Sequence, residues 1–216
     1  MVSSFWSQVS GFGFQVSCFV FQVSGFKSKI KNDLEPHFSI LLQNQDQIIQ
    51  NSGLMIKALI FDWGNTIMFD FGFTGPMSQW EKVAWIEGTE NSLKILSPKY
   101  ICCIATGAEH SGTKNMIDAL KRVGADQYFH HFFCAKDLGY KKPSPLFFQA
   151  VAENIGLKTS ECVMIGDSYD KDIIGAKMAG MKTILLNTNN ETAKFVDADY
   201  IINSMEELSV IINNIN

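Results

Sequence analysis

Concentrated positive charge is missing from this 216-residue chain, whose 18 lysine and arginine residues are outnumbered by acids to give a formal net charge of −4. No basic cluster is longer than a pair, as at Lys121-Arg122 and Lys141-Lys142. Proteins that bind nucleic acids hold phosphates with grouped basic side chains. The sequence therefore predicts no nucleic-acid partner. No apolar run approaches the roughly 20 residues of a membrane span, so no membrane partner is predicted either.

Paired cysteines are also missing. The chain has five cysteines, an odd number, and no two of them are separated by two residues. Disulfide and zinc frameworks normally show paired, regularly spaced cysteines. Cys102 and Cys103 lie instead inside an apolar run. We therefore expect buried thiols in a protein of the reducing cytoplasm.

Charged side chains are absent from residues 1–26, where the tripeptide Gln-Val-Ser recurs every seven residues, at 8–10, 15–17 and 22–24. A coiled coil of this period would need a leucine seam and charged flanks, and a secretory signal would need a basic start and an unbroken apolar stretch. A perfect seven-residue period is also what translated repetitive DNA would produce. We expect residues 1–54 to be a low-complexity extension without function, with Met55 as the true start.

From residue 55 onward, apolar runs alternate with segments of helical spacing. "KALIFD", "YICCIAT" and "CVMIGD" each end in a polar residue, namely Asp62, Thr106 and Asp167. Continuous apolar strands separated by helices are typical of an α/β fold with a parallel sheet covered on both faces. Such sheets carry their sites at the carboxyl ends of the strands. The three polar residues are therefore predicted to meet at one edge of the sheet.

The carboxylates at this edge suggest a metal site. Asp62, Asp167 and Asp172, five residues further on, would repel one another unless a hard cation lay between them. Mg²⁺ prefers such oxygen ligands and keeps other positions for water and phosphate. The sequence thus predicts a magnesium site that includes these carboxylates.

The remaining polar residues suggest a phosphoryl group beside that metal. The Thr106-Gly107 turn offers a hydroxyl and backbone N–H groups to phosphate oxygens. In "GYKKPSP", Lys142 precedes Pro143 and can neutralise both a phosphoryl group and the nearby carboxylates. A carboxylate nucleophile, a divalent cation, a hydroxyl and a lysine together suit phosphoryl transfer through an aspartyl-phosphate.

Four stretches, in order, resemble the motifs of the haloacid dehalogenase (HAD) superfamily: "FDWGNT", "IATG", "GYKKP" and "IGDSYDKDIIGAKMAGM". The resemblance covers essentially Met55 to Asn216. It implies a Rossmann-like three-layer fold and a Mg²⁺-dependent hydrolase acting on a small phosphorylated substrate. By this resemblance Asp62 is the nucleophile, and Thr106, Gly107 and Lys142 hold the phosphoryl group. The implied metal ligands are Asp62, the backbone carbonyl of Gly64, Asp167 and Asp172.

One residue departs from the phosphatase pattern of this superfamily. Phosphatases usually carry a second Asp two residues after the nucleophile as general acid and base, and this chain has Gly64 there. General acid–base catalysis is worth about 10²–10⁴ in rate, so poor leaving groups should suffer most. The nearby acids Asp70, Glu81 and Glu87 are possible substitutes, but their spacing indicates none of them.

The missing acid leaves two alternatives open. Dehalogenase-like members lack the second Asp and would use Asp62 on a carbon centre, but that reaction needs no metal and leaves Asp167 and Asp172 unexplained. The chain could also be a regulatory module that binds phosphate and has lost turnover.

The sequence provides too little chain for a full cap domain over the site. About 35 residues separate Thr66 from the second strand, and a domain needs at least about 50. Residues 68–90 are therefore predicted to form a short flap, in which Phe71, Phe73, Trp80 and Trp85 pack over the site or against a partner subunit. The open site suits a bulky substrate or closure in a homo-oligomer. His110 is a further candidate for contact with phosphate.

Overall fold

The computed structural model describes residues 55–107 and 112–215 of the chain, and no helix in these ranges is long and apolar enough to cross a membrane. The predicted extension 1–54 and the candidate His110 lie outside the described residues. The strands are β1 (Ala58–Phe61), β2 (Ile101–Thr106), β3 (His131–Cys134), β4 (Cys162–Gly166), β5 (Lys182–Leu186) and β6 (Tyr200–Ile202). The α-helices are α1 (Thr89–Leu96), α2 (Thr113–Lys121), α3 (Ala135–Leu138), α4 (Pro145–Asn154), α5 (Ile174–Met178) and α6 (Leu208–Ile215).

The strands form one six-stranded parallel sheet in the order β3-β2-β1-β4-β5-β6. The chain builds outward from β1 in one direction, then returns to add β4 on the other side. The carboxyl ends of β1 and β4 therefore flank the point where the strand order reverses, which is where α/β sheets open a crevice for ligands.

Both faces of the sheet are buried, as the continuous apolar runs predict. Leu59 and Phe61 belong to a large core that includes Leu93 and Met116 from the helices on one face. Ala58 and Ile60 point the other way and pack in a second core with Phe147 of α4. Since successive side chains of a strand point to opposite faces, a strand buried on both sides must be apolar throughout. The predicted three-layer α/β architecture is confirmed.

Helix α1 shows no clear helical period in its sequence. Its buried side includes Ser92, whose hydroxyl donates a 2.5 Å hydrogen bond to the carbonyl of Met205, while Ile95 is 47 % exposed. A buried polar residue and an exposed apolar one blur the 3.6-residue hydrophobic period. The helix also has a Glu90–Lys94 ion pair of 2.8 Å on its surface, four residues apart.

The two ends of the predicted flap, residues 68–90, are joined near its base. Met68 forms an isolated antiparallel bridge with Trp85, and the N–H of Phe69 donates to the carbonyl of Ala84 at 2.9 Å. The stretch between these two points is held by Arg122, near the end of α2. Its guanidinium donates to several backbone carbonyls of this stretch, among them that of Trp80 at 2.5 Å. The segment is irregular apart from the short 3-10 turn Met77–Gln79, and α1 already begins at Thr89.

The four cysteines among the described residues, Cys102, Cys103, Cys134 and Cys162, are buried and free. Burial raises the pKa of Cys102 and of Cys162 to about 12, so both stay protonated thiols at neutral pH. Such cysteines behave as small apolar core residues rather than as nucleophiles.

Candidate active site

The central strands bring the predicted site residues to one edge of the sheet. Asp62 follows β1, Thr106 ends β2 and Asp167 follows β4, and β1 lies between the other two strands. The N–H of Asp62 donates to the carbonyl of Ile165 at 2.9 Å, which extends the ladder between β1 and β4 up to the site. Asp172 comes from the π-helical turn Tyr169–Ile173 that follows β4.

Three carboxylates meet at this edge. Asp62, Asp167 and Asp172 each offer one oxygen, and these three oxygens lie within 4.8 Å of one another. Burial, followed by the negative charge of Asp62, raises the pKa of Asp167. Such a cluster holds more negative charge than its surroundings neutralise. An oxygen donor set of this kind fits a small divalent cation such as Mg²⁺.

Lys142 is the cation that the fold itself supplies. Its side chain is 2 % exposed, and Nζ donates to Asp62 Oδ1 and to Asp172 Oδ1, both at 2.7 Å. Burial alone would lower the pKa of Lys142, but the charges of Asp172 and Asp62 outweigh burial and raise it. The preceding Lys141 is exposed. Lys142, rather than Lys141, is therefore the lysine that reaches the carboxylates.

Asp172 also has a raised pKa, of about 7, although it is paired with this lysine. Burial is the main cause; the attraction of Lys142 opposes it, and the like charge of Asp62 reinforces it. The two raised pKa values have different causes: burial raises that of Asp172, whereas the two carboxylates raise that of Lys142. Asp172 is therefore hard to ionise fully unless more positive charge is added to the site.

Close packing of helix α5 fixes the loop that carries Lys142. A Cβ at Gly175 would lie 2.6 Å from Phe148 and 2.8 Å from the carbonyl carbon of Pro143, so only glycine lets α5 approach this loop. The Lys142-Pro143 peptide bond is cis. On the other side, the Lys142 side chain passes within 3.9 Å of a Cβ position at Gly107. The Thr106-Gly107 turn thus adjoins the lysine, as the predicted phosphate site requires.

Two polar residues of the site were not among the predicted ones. The buried hydroxyl of Thr66 donates to Asp167 Oδ1 at 3.3 Å and accepts the N–H of Asp167 at 3.2 Å. The N–H of Ser168 donates to Asp172 Oδ2 at 3.1 Å. Both orient a carboxylate rather than add one. Thr66 closes the "FDWGNT" motif, and this position, four residues after Asp62, was the available sequence signal.

The predicted roles of the site residues, as nucleophile, phosphate ligands or metal ligands, all stay predictions. Thr106 is buried at the end of β2, but its contact with phosphate, that of Gly107 and the metal contact of the Gly64 carbonyl all concern groups from outside the chain.

Gly166 makes room for the buried Asp172. A Cβ at this position would lie 2.5 Å from Asp172 Cγ and 2.7 Å from Asp172 Cβ. We expect Gly166→Ala to lower the free energy of unfolding by about 1–3 kcal/mol, because overpacking a core displaces its neighbours. Urea denaturation measures this. Gly112→Ala is the control, because an added methyl there meets nothing within 4 Å among the described residues. Equal stability of the two variants would contradict the prediction.

Parts of this chain are similar to a known protein family and to curated phosphatases. Residues 139–208 match the model of the HAD-hydrolase-like family. The glyceraldehyde 3-phosphate phosphatase of Methanocaldococcus jannaschii is 32 % identical over 137 residues, which are 62 % of this chain and 60 % of that protein. The match thus spans less than two thirds of the length of this curated relative. For the glyceraldehyde 3-phosphate phosphatase of Methanopyrus kandleri, it spans 29 % of that protein's length.

Solved structures share the fold. The HAD phosphatase of Thermococcus onnurineus superimposes with a TM-score of 0.61 at 23 % identity, covering 73 % of this chain and 98 % of that one. The HAD-hydrolase YfnB of Bacillus subtilis, in a structure bound to magnesium, gives a TM-score of 0.62 at 19 % identity, covering 74 % and 99 %. These matches show that the chain shares the fold of these structures.

Proposed function

We propose that this chain, with the fold of the HAD-like hydrolases, is a Mg²⁺-dependent phosphatase that acts on a small phosphorylated substrate through an aspartyl-phosphate. The observation that carries the proposal is the cluster of Asp62, Asp167 and Asp172 around one buried lysine. Phosphoryl transfer needs a nucleophile and a concentration of positive charge for the transferred group. Attack on a carbon–halogen bond would need no such arrangement of carboxylates.

Asp62 is the proposed nucleophile. It stands at the end of β1 with its side chain 15 % exposed, so a substrate can reach it, while Lys142 holds its Oδ1 and orients the carboxylate. Its attack on phosphorus would form the aspartyl-phosphate and release the leaving oxygen, and water would then hydrolyse the acyl phosphate. Thr106, Gly107 and Lys142 are proposed to bind the phosphoryl oxygens, since they adjoin one another beside Asp62.

The proposed ligands of Mg²⁺ are Asp62, the Gly64 carbonyl, Asp167 and Asp172. When bound, the ion would offset the negative charge that the carboxylates and the phosphoryl group share. Thr66 and Ser168 hold Asp167 and Asp172 in place for this role. In the absence of a second cation, burial and the negative charge of Asp62 raise the pKa of Asp167 and of Asp172.

The substrate class is proposed from the relatives. M. jannaschii and Bacillus mycoides have matching proteins named glyceraldehyde 3-phosphate phosphatase and pyrophosphatase PpaX. The substrates in both names are small phosphorylated compounds. We extend this class of substrate to the present chain. We also propose a cytoplasmic location, because free buried thiols suit a reducing compartment.

Removal of divalent metal tests the proposal. After treatment with EDTA, the full-length chain is expected to release no phenol from an aryl phosphate, and added Mg²⁺ is expected to restore release. Mg²⁺ should also raise the melting temperature, because a ligand bound only by the folded state stabilises it. The measurements are a colorimetric assay and a thermal melt over a Mg²⁺ titration.

Asp167→Asn is the matched variant for this experiment. It keeps the shape of Asp167 and its partner Thr66 but removes one charge, so both responses to Mg²⁺ should shift to higher concentration. Hydrolysis that is equally fast in EDTA would count against a metal-dependent phosphatase.

A further inference from the structure

The loop after β1 brings a second carboxylate to the position where the phosphatase pattern has its general acid. We propose that Asp70 is the proton donor and acceptor for the leaving group, in place of an acid at Gly64. This inference rests on the proposed function and adds a catalytic residue to it.

Proximity to Gly64 is the first observation. A Cβ built on Gly64 would lie 3.9 Å from both Cβ and Oδ2 of Asp70. Chain neighbours aside, no other described residue has an atom within 4 Å of that point. The carboxyl group of Asp70 therefore lies just beyond the place where an Asp side chain at 64 would begin. Glu81 and Glu87, the other two acids considered as substitutes, do not come so near.

The local backbone explains how a residue six positions later returns to Gly64. Asn65 has a φ of +54°, which turns the chain back on itself. Its N–H donates to the carbonyl of Met68 at 2.7 Å, and its Oδ1 accepts the N–H of Asp70 at 3.0 Å. Gly64 and Met68 also form an isolated bridge. The loop is thus closed by backbone and side-chain hydrogen bonds, and it holds Asp70 in place.

The two carboxylate oxygens of Asp70 have different surroundings. Oδ1 accepts the N–H of Gly72 at 2.8 Å, which fixes the orientation of the side chain. Oδ2 is the oxygen that faces position 64, and within the described residues no hydrogen bond to it is formed. Asp70 is exposed. One oxygen is anchored, and the other is available to a group that enters the site from solvent.

The proton balance of the two steps is complete with this residue. As Asp62 forms its bond to phosphorus, the bond to the leaving oxygen breaks, and the proton of the Asp70 carboxyl group passes to that oxygen. The resulting carboxylate then takes a proton from the water that hydrolyses the aspartyl-phosphate. Asp70 ends protonated, Asp62 ends as a carboxylate, and the products are an alcohol and inorganic phosphate.

Leaving-group dependence tests the proposal in the full-length, Mg²⁺-loaded chain. We expect Asp70→Asn to lower kcat/KM for an alkyl phosphate by about 10²–10⁴, the usual value of general acid catalysis, and to change that for p-nitrophenyl phosphate little. Across a series of aryl phosphates, log kcat/KM should fall more steeply with leaving-group pKa in the variant. Asparagine still offers Oδ1 to Gly72, so a purely structural role of Asp70 would survive this substitution.

Three further variants complete the test. Glu81→Gln and Glu87→Gln remove a neighbouring acid and should leave both substrates unaffected. Gly64→Asp combined with Asp70→Asn should recover hydrolysis of the alkyl phosphate, because the acid returns at its usual position and an added Cβ meets only ordinary contacts.

The outcomes separate the inference from the function. Equal losses on alkyl and aryl phosphates, or an unaffected alkyl reaction, would overturn the role of Asp70 and leave the phosphatase assignment standing. A wild-type chain that hydrolyses aryl but not alkyl phosphates would do the same. A wild-type chain that hydrolyses no aryl phosphate would overturn the proposed function, and the inference with it.

Discussion

Asp62→Asn is expected to abolish hydrolysis of an aryl phosphate, with kcat reduced on the order of 10⁴- to 10⁶-fold, as for other enzymes that lose a covalent nucleophile. The amide oxygen can still accept the bond from Lys142, but it cannot form an aspartyl-phosphate. Acid quenching of the wild type should trap a phosphorylated protein, and mass spectrometry should place the added phosphoryl group on Asp62.

The fold should survive this substitution. Asp62 is one of the like charges that raise the pKa of Asp167 and Asp172, so its neutralisation relieves repulsion within the cluster. We expect a melting temperature equal to or above that of the wild type, which separates lost chemistry from lost structure. Turnover by Asp62→Asn at a rate comparable with the wild type would eliminate Asp62 as nucleophile.

Lys142→Met is expected to be the most destabilising substitution in the site. The ammonium lies between Asp62 and Asp172 and is almost fully buried. Removing one partner of a buried ion pair leaves uncompensated charge and typically costs about 3–5 kcal/mol. Activity should fall as well, on the order of 10²- to 10³-fold, because one group that stabilises the transferred phosphoryl charge is gone. Urea denaturation in EDTA and the aryl phosphate assay measure the two effects.

The loss of stability in Lys142→Met should depend on pH. Asp172 has a pKa of about 7 in the folded wild type, and removal of Lys142 takes away an interaction that lowers it. In the unfolded chain an Asp has a pKa of about 3.9. Between these values the folded state binds a proton that the unfolded state does not, so stability falls as pH rises. The variant should therefore lose more stability than the wild type as the pH rises, so that the difference between them is larger at pH 8 than at pH 5.

Lys141→Met is the matched control for this prediction. It removes the same charge from the neighbouring residue, whose side chain is exposed. Its stability and activity should stay close to those of the wild type. Equal destabilisation by both substitutions would show that the buried bridge to the two carboxylates is not what stabilises this loop.

Much of the fold could be predicted from residue patterns alone. "KALIFD", "YICCIAT" and "CVMIGD" are apolar throughout, and a strand covered by helices on both faces must be so. The polar residues at their ends could be assigned to one edge of the sheet for the same reason. Helix α1 could not be found in this way, since buried Ser92 satisfies its hydroxyl with a carbonyl from the far end of the chain.

What only the tertiary structure decided is which side chains touch. Sequence spacing gave no preference among Asp70, Glu81 and Glu87 as replacements for the acid absent at Gly64. The loop closed by Asn65 brings Asp70 alone among them to that position. Likewise, the π-helical turn buries Asp172 and sets it against Lys142, thirty residues away in sequence. Strand and helix patterns are local properties of a sequence, whereas contacts across turns depend on backbone angles and close packing, which local patterns do not encode.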